Sequence, residues 1–226
     1  MNQKKIVGDK AATFVEDNMV LGLGTGSTAV YMVKAVAKRA KEEGLNLTCV
    51  STSIATRKLA TELGLNVVDL SEVDSIDLTI DGADEVSKDF QGIKGGGGAH
   101  LFEKIVAENS KKNIWIVDES KDVEYLGAFP LPVEVVPFGY ELLLNTFKEK
   151  GYAPVLRVDE SNQVFETDSG NYILDLHLEK IEDPKALAQE LKAQTGVVEH
   201  GLFIDIVDQV IFGNEQGEIE IRTTSN

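Results

Sequence analysis

Cysteine is almost missing from this chain: Cys49 is the only one in 226 residues. No internal disulfide can form, so a stapled extracellular scaffold is excluded. Cys49 lies in an apolar run and is expected to be a buried thiol in a reducing cytoplasm. Histidine is scarce too, and His100, His177 and His200 fall in different elements, which argues against a transition-metal site. No apolar stretch approaches the ~20 residues of a membrane span, so no membrane partner is expected. The opening stretch MNQKKIVGDKAATFVEDN has two lysines with no apolar run behind them and does not read as a secretory leader. Basic residues are outnumbered, 22 against 38 acidic ones, for a net charge of −16. That argues against nucleic acid, which needs clustered Lys and Arg to neutralise phosphates. The acidity serves solubility, and any anionic ligand must be held by strong local donors.

What is present is the composition of an ordinary globular protein, with 42% hydrophobic and 27% charged residues. Disorder, collagen and coiled coil are excluded on that basis. Ile6, Val7, Ala11, Phe14 and Val15 recur at helical spacing, and MVLGLG then reads as a short buried strand. A helix from Ser27 to about Glu43 carries Val30, Val33, Val36 and Ala37 on one face and stops at Gly44. LTCVST, NVVDL, SIDLTI and NIWIVDES are further strands, alternating with helices over IATRKLATELG and HLFEKIVAENS. Such alternation predicts a parallel sheet covered on both faces.

After about residue 128 the order becomes strand, helix, strand, strand, helix, strand. NYILDLHL alternates like a half-buried antiparallel strand, and Asp183 and Pro184 form a helix start whose stop is Gly196. VVEHGLFI is the last strand of this module, and the tail DQVIFG to EIEIR is expected to return to the first sheet as buried strands. The predicted fold class is α/β. An open, parallel, Rossmann-like sheet is built from residues 1–127 plus 204–226, with a ferredoxin-like α+β domain inserted over 128–203 as an oligomer contact.

Three glycine-containing loops carry the chemistry. GLGTGSTA, at 22–29, lacks the third glycine of a dinucleotide fingerprint and the lysine of a P-loop. Thr25, Gly26, Ser27 and Thr28 either hold a small anion at a helix start or simply cap it through Thr25 or Ser27. In TIDGADEV, Asp81 falls at a strand end, and Gly82 permits a turn bringing Asp81 and Asp84 to one side. The pair could serve a ligand, bind a divalent cation or form a solvated turn. In GIKGGGGAHLFEK, Lys94 precedes Gly95–Gly98, whose N–H groups could converge on an anion or make a flexible turn. Glu103 lies off the apolar stripe of Leu101, Phe102, Ile105 and Val106, either as a surface residue or as a base. If all three loops follow strands of one parallel sheet, they open on one edge. They then offer donors for a phosphate, carboxylates for sugar hydroxyls, a cation for an oxyanion and a general base. That inventory suits proton abstraction beside a carbonyl in a phosphorylated sugar, with no cofactor.

In order and spacing, GLGTGSTA, DLTIDGADEV, IKGGGGAHLFEKIVA, DESK, FPLPVEVVPF, GNYILDLH and TGVVEHGLF resemble ribose-5-phosphate isomerase of type A along essentially the whole chain. The resemblance implies interconversion of ribose 5-phosphate and ribulose 5-phosphate in the pentose phosphate pathway, without metal or cofactor, by a cytoplasmic homodimer or homotetramer. It implies Glu103 as the base, and Asp81 and Asp84 as partners of the sugar hydroxyls. Lys94 with Gly95, Gly96 and Gly97 would stabilise the enediolate. Thr25 to Thr28, Gly82, Ala83 and Lys121 would bind substrate, with Lys4 or Lys5 near the phosphate. Two positions depart from the family pattern: Gly98, which adds freedom to the loop, and Phe102, where a polar residue is usual. A sugar-phosphate deaminase or lactonase would require a catalytic histidine near Asp81, for which His100 is the candidate. A sugar-phosphate sensor would require a DNA-binding segment, which this acidic chain does not offer.

Overall fold

The computed structural model describes residues 2–224. Its contacts divide the chain into two compact units, Met1–Ala83 with Phe102–Asp122 and Ile206–Asn226, and Asp84–Leu101 with Val123–Asp205. The second unit contains residues 128–203, expected as the insert, and also takes in 84–101, 123–127 and 204–205.

The chain begins with α1 (Gln3–Ala12), β1 (Val20–Leu23), α2 (Ala29–Glu43), β2 (Thr48–Ser51), α3 (Ile54–Glu62), β3 (Asn66–Val67) and β4 (Leu78–Asp81). It continues through β5 (Glu85–Ser87), β6 (Gly92–Ile93), α4 (His100–Glu108), β7 (Asn113–Asp118) and β8 (Asp122–Val123). Then come β9 (Leu131–Val135), α5 (Tyr140–Glu149), β10 (Pro154–Leu156), β11 (Tyr172–Leu176), α6 (Pro184–Lys192) and β12 (Val197–His200). The last strands are β13 (Leu202–Phe203), β14 (Gln209–Gly213) and β15 (Ile219–Thr223).

In the first unit a sheet runs in the order β15-β14-β7-β4-β1-β2-β3. All neighbours are parallel except β14 and β15. The central strands are short apolar runs because helices cover both faces of a parallel sheet. Leu21, Leu23, Ile80, Ile114, Ile116 and Ile211 are buried in one core with Met32, Val33 and Val36 of α2. Gly44, at φ 72°, ends α2 in the left-handed conformation. Gly8 allows α1 to lie against α2, since a Cβ there would stand 2.8 Å from the Met32 nitrogen. The expected buried tail is only half so: β14 is buried throughout, whereas β15 is an exposed, antiparallel edge. Successive strands leave β1 toward β2 and β3, then resume on its other side at β4. The crevice between the ends of β1 and β4 is thus the topological switch point, where open α/β sheets bind ligands.

In the second unit the four-stranded sheet runs β10-β11-β9-β12, antiparallel throughout. With α5 and α6 in the crossovers, this is the ferredoxin-like arrangement. Val133, Leu174, Phe147 and Leu191 pack in its core. The Asp183 side chain caps α6 by accepting from the Ala186 N–H, with Pro184 in the first turn. VVEHGLFI is not one strand. Gly201 breaks it, because a Cβ there would lie 2.2 Å from the Lys94 carbonyl oxygen. Gly201 exchanges backbone bonds with Lys94 and Pro132 instead, so β12 pairs with β9 and β13 pairs with β6.

Candidate active site

In the first unit, the loop after β1 and the end of β4 meet. Asp81 is 3% exposed, and its Oδ1 accepts from the N–H groups of Thr25 (3.0 Å) and Gly82 (2.7 Å). The carboxylate lies so close to the loop that a Cβ at Gly24 would sit 2.1 Å from Oδ1. The Thr25 hydroxyl turns inward, 2.7 Å from Thr52 Oγ1 and 2.8 Å from Ser53 Oγ. Neither expected residue caps α2: Thr28 stands at its N-cap, with no side-chain capping bond. Gly26 holds φ 110° in open space, and Gly26 and Ser27 are exposed. In the first turn of α2 the N–H groups of Val30 and Tyr31 donate to the carbonyls of Gly26 and Thr28, so an anion here would be met by the N–H groups of the loop ahead of the helix. Lys4 of α1 donates to Ser27 Oγ at 2.8 Å, whereas its neighbour Lys5 pairs with Asp9. Lys121 ends the short turn after β7, next to β4 in the parallel sheet, so it follows the same sheet edge as Asp81.

Glu103 lies in the first turn of α4 and is 5% exposed. The expected apolar stripe is not the covered face of this helix: Ile105 is 39% exposed, whereas Glu103 and Lys104 are buried with Val106 and Ala107. A surface role for Glu103 is thereby excluded.

In the second unit, the glycine loop follows β6, which pairs antiparallel with β5 and β13. The expectation that all three loops leave one parallel sheet fails here, because a hairpin of two- and three-residue strands carries this one. Asp84 Oδ2 accepts from the Gly96 N–H at 2.8 Å. Gly95, at φ 108°, packs on His100, and a Cβ on it would stand 2.7 Å from Nδ1. Gly98, at φ 78°, donates to the Gly95 carbonyl and presses on Phe165, where a Cβ would meet the ring at 2.5 Å. It tightens the loop rather than freeing it. Gly97 alone of the four has nothing within 4 Å of a would-be Cβ and a φ outside the left-handed region. Lys94 is buried, with Nζ 5.3 Å from the centre of the Phe203 ring. Glu85, third acid of the same turn, is structural: it accepts from the N–H groups of Gly127 and Phe129 at 2.7 and 2.6 Å. His100 is fully buried, 3.8 Å from Glu134.

The family described as ribose 5-phosphate isomerase A (phosphoriboisomerase A) matches residues 48–217. Ribose-5-phosphate isomerase A of Enterococcus faecalis is 58% identical over 217 residues, covering 96% of each chain. The chain belongs to the ribose 5-phosphate isomerase A family. The relative from Lacticaseibacillus paracasei is 57% identical over 96% of each chain. Among solved structures, ribose 5-phosphate isomerase A of Methanocaldococcus jannaschii is 38% identical with a TM-score of 0.93, over 99% of each chain. A D-ribose-5-phosphate isomerase solved in complex with phospho-erythronic acid is 36% identical with a TM-score of 0.95, over 99% of this chain and 100% of that one.

Within this isomerase A fold, several residues had no sequence signal as site elements. Thr52, Ser53 and Thr56 anchor the Thr25 loop, yet read in sequence only as a strand end and a helix start. Arg157, just past β10, donates to the carbonyls of Gly95 (2.9 Å) and Gly96 (3.2 Å) from about sixty positions away. No cluster of three or more potential metal ligands occurs among the described residues.

Proposed function

We propose that this protein interconverts ribose 5-phosphate and ribulose 5-phosphate through an enediolate. Glu103 removes the C2 proton of the open-chain aldose, and the electron pair flows through C1 onto the C1 oxygen. Return of the proton to C1, with a proton moving from the C2 to the C1 oxygen, gives the ketose. Lys94 and the Gly95–Gly97 backbone stabilise the developing negative charge. Asp81 and Asp84 take the hydroxyl protons and assist ring opening. Thr25–Thr28, Gly82, Ala83 and Lys121 bind the substrate, with Lys4 as the second cation for its phosphate. The observation that carries this reading is the burial of Glu103, a carboxylate kept off the surface of an amphipathic helix five residues beyond four glycines. A relative that takes phospho-erythronic acid supports it. That compound joins a phosphate to a carboxylate, whose two charge-sharing oxygens resemble an enediolate.

C1 is reduced as C2 is oxidised within the one substrate, so the reaction calls for no external oxidant or reductant, and the residues named supply the base and the charge stabilisation. We further propose a cytoplasmic enzyme, consistent with its single buried thiol, that assembles as a homodimer or homotetramer. Support for assembly is a run of exposed apolar side chains in the second unit, Val136, Phe138 and Leu142.

The test follows the C2 proton of ribose 5-phosphate into deuterated water, with wild type and Glu103→Gln. Wild type should exchange it and form ketose, with or without chelator. The variant should lose about 10²–10⁴-fold in kcat, the usual contribution of a general base. Exchange by the variant at the wild-type rate would exclude Glu103 as the base and make Asp81 or Asp84 the candidate.

A further inference from the structure

Glycine peptides turn over easily, because no Cβ restricts φ. A run of four should therefore present its N–H groups and carbonyls interchangeably, which an oxyanion site cannot tolerate. The second unit holds the answer to this problem in Arg157. Its Nε and Nη2 are fixed by both carboxylate oxygens of Asp175, at 2.8 and 2.5 Å. Asp175 lies in β11, paired with Val155 of β10, so the fork is anchored in the sheet. The remaining nitrogen, Nη1, donates to the Gly95 carbonyl at 2.9 Å and the Gly96 carbonyl at 3.2 Å. The guanidinium also lies 5.8 Å from the Phe165 ring, the same ring that presses on Gly98.

In a trans peptide the C=O and the following N–H point in opposite directions. The Gly95–Gly96 peptide is held at both ends, its carbonyl on Arg157 and its N–H on Asp84 Oδ2. The Gly96 carbonyl also faces Arg157, so the Gly97 N–H points away from the guanidinium, and Gly97 is exposed. A flip of the Gly96–Gly97 peptide would replace that donor with a carbonyl oxygen and repel an anion.

We infer that Arg157 is a positioning residue: it locks two successive glycine carbonyls so that the Gly97 N–H is kept as a donor for the enediolate. This rests on the isomerase reading above. Lysine cannot replace it, because a single ammonium cannot grip Asp175 at two points and reach two carbonyls.

Steady-state isomerisation of ribose 5-phosphate is measured for wild type, Arg157→Ala, Arg157→Lys and Asp175→Asn, each with its melting temperature. Loss of one preorganised oxyanion donor predicts a fall in kcat of roughly 10–100-fold for both Arg157 variants, somewhat below full deletion of a donor. KM should change by less than about threefold, since the ground state depends less on that donor. Added guanidinium, at millimolar concentrations that leave wild type unaffected, should restore part of the kcat of Arg157→Ala but not of Arg157→Lys. Asp175→Asn, which retains the cation, keeps the test open if Arg157→Ala does not fold, and its kcat should fall less than that of Arg157→Lys. Folded variants with kcat within twofold of an active wild type would overturn this inference alone, as would a fall in kcat without guanidinium rescue. An inactive wild type would overturn the isomerase reading and this inference with it.

Discussion

Glu134 shows how a single buried acid shapes the response of the fold to pH. It lies next to the end of β9 and is fully buried, and Oε1 accepts from Thr167 Oγ1 and Asn171 Nδ2, both at 2.9 Å. Burial pushes its pKa above the usual glutamate value, the two hydrogen bonds oppose this, and the charges of Glu199 and Asp168 add to it. A folded-state pKa above the unfolded one means that the native protein holds a proton which the unfolded chain has already released. The associated stability is full below the unfolded pKa and is lost as pH rises through the folded one. Glu134→Gln keeps an oxygen for Thr167 and Asn171 and has no charge to bury. Its melting temperature relative to wild type should therefore improve as pH is raised from about 5 to 8. A difference that stays constant across that range would show that Glu134 does not titrate there.

At the scale of elements, the proposed phosphate site depends on which side of α1 faces the β1–α2 loop. Neighbouring residues on a helix point about 100° apart, so only one of Lys4 and Lys5 can reach across. Lys4 does so, to Ser27, and Lys5 stays on its own helix with Asp9. Lys4→Met should raise KM for ribose 5-phosphate roughly two- to fivefold, the range of an exposed ion pair, and leave kcat nearly unchanged. Lys5→Met is the control, and an equal rise in both would mean that neither lysine is specific to the phosphate. Glycine placement follows the same logic of elements. Gly24 yields to the Asp81 carboxylate and Gly201 to the Lys94 carbonyl, so each marks a close approach between segments far apart in sequence.

On the scale of the whole molecule, Phe138 is 95% exposed and Leu142 is 74% exposed, beside Val136. In the proposed assembly these large apolar side chains are the subunit contact, since exposed apolar patches are where proteins associate. The double variant Phe138→Ser with Leu142→Ser should sediment as a monomer, or as a smaller assembly than wild type, with unchanged far-UV circular dichroism. An unchanged mass would place subunit contact elsewhere.

Composition, periodicity and loop chemistry carry much of this molecule in plain view. Strand–helix alternation predicts the parallel sheet, and the later β-α-β-β-α-β order predicts the ferredoxin-like unit, because each follows from local periods of two and 3.6 residues. The Asp81 turn, the four glycines and Glu103 are equally legible, since residue type alone limits what such backbone and charge can do. Tertiary structure decided the rest. Whether Thr25 offers its hydroxyl outward depends on Thr52 and Ser53, 27 and 28 positions away. Which way the Gly95 and Gly96 carbonyls face depends on Arg157, 62 and 61 positions away. The glycine hairpin lies outside the parallel sheet because β13, from the far end of the second unit, pairs with β6. These contacts join segments whose local patterns are independent of one another, and only packing of the folded chain selects which of them meet.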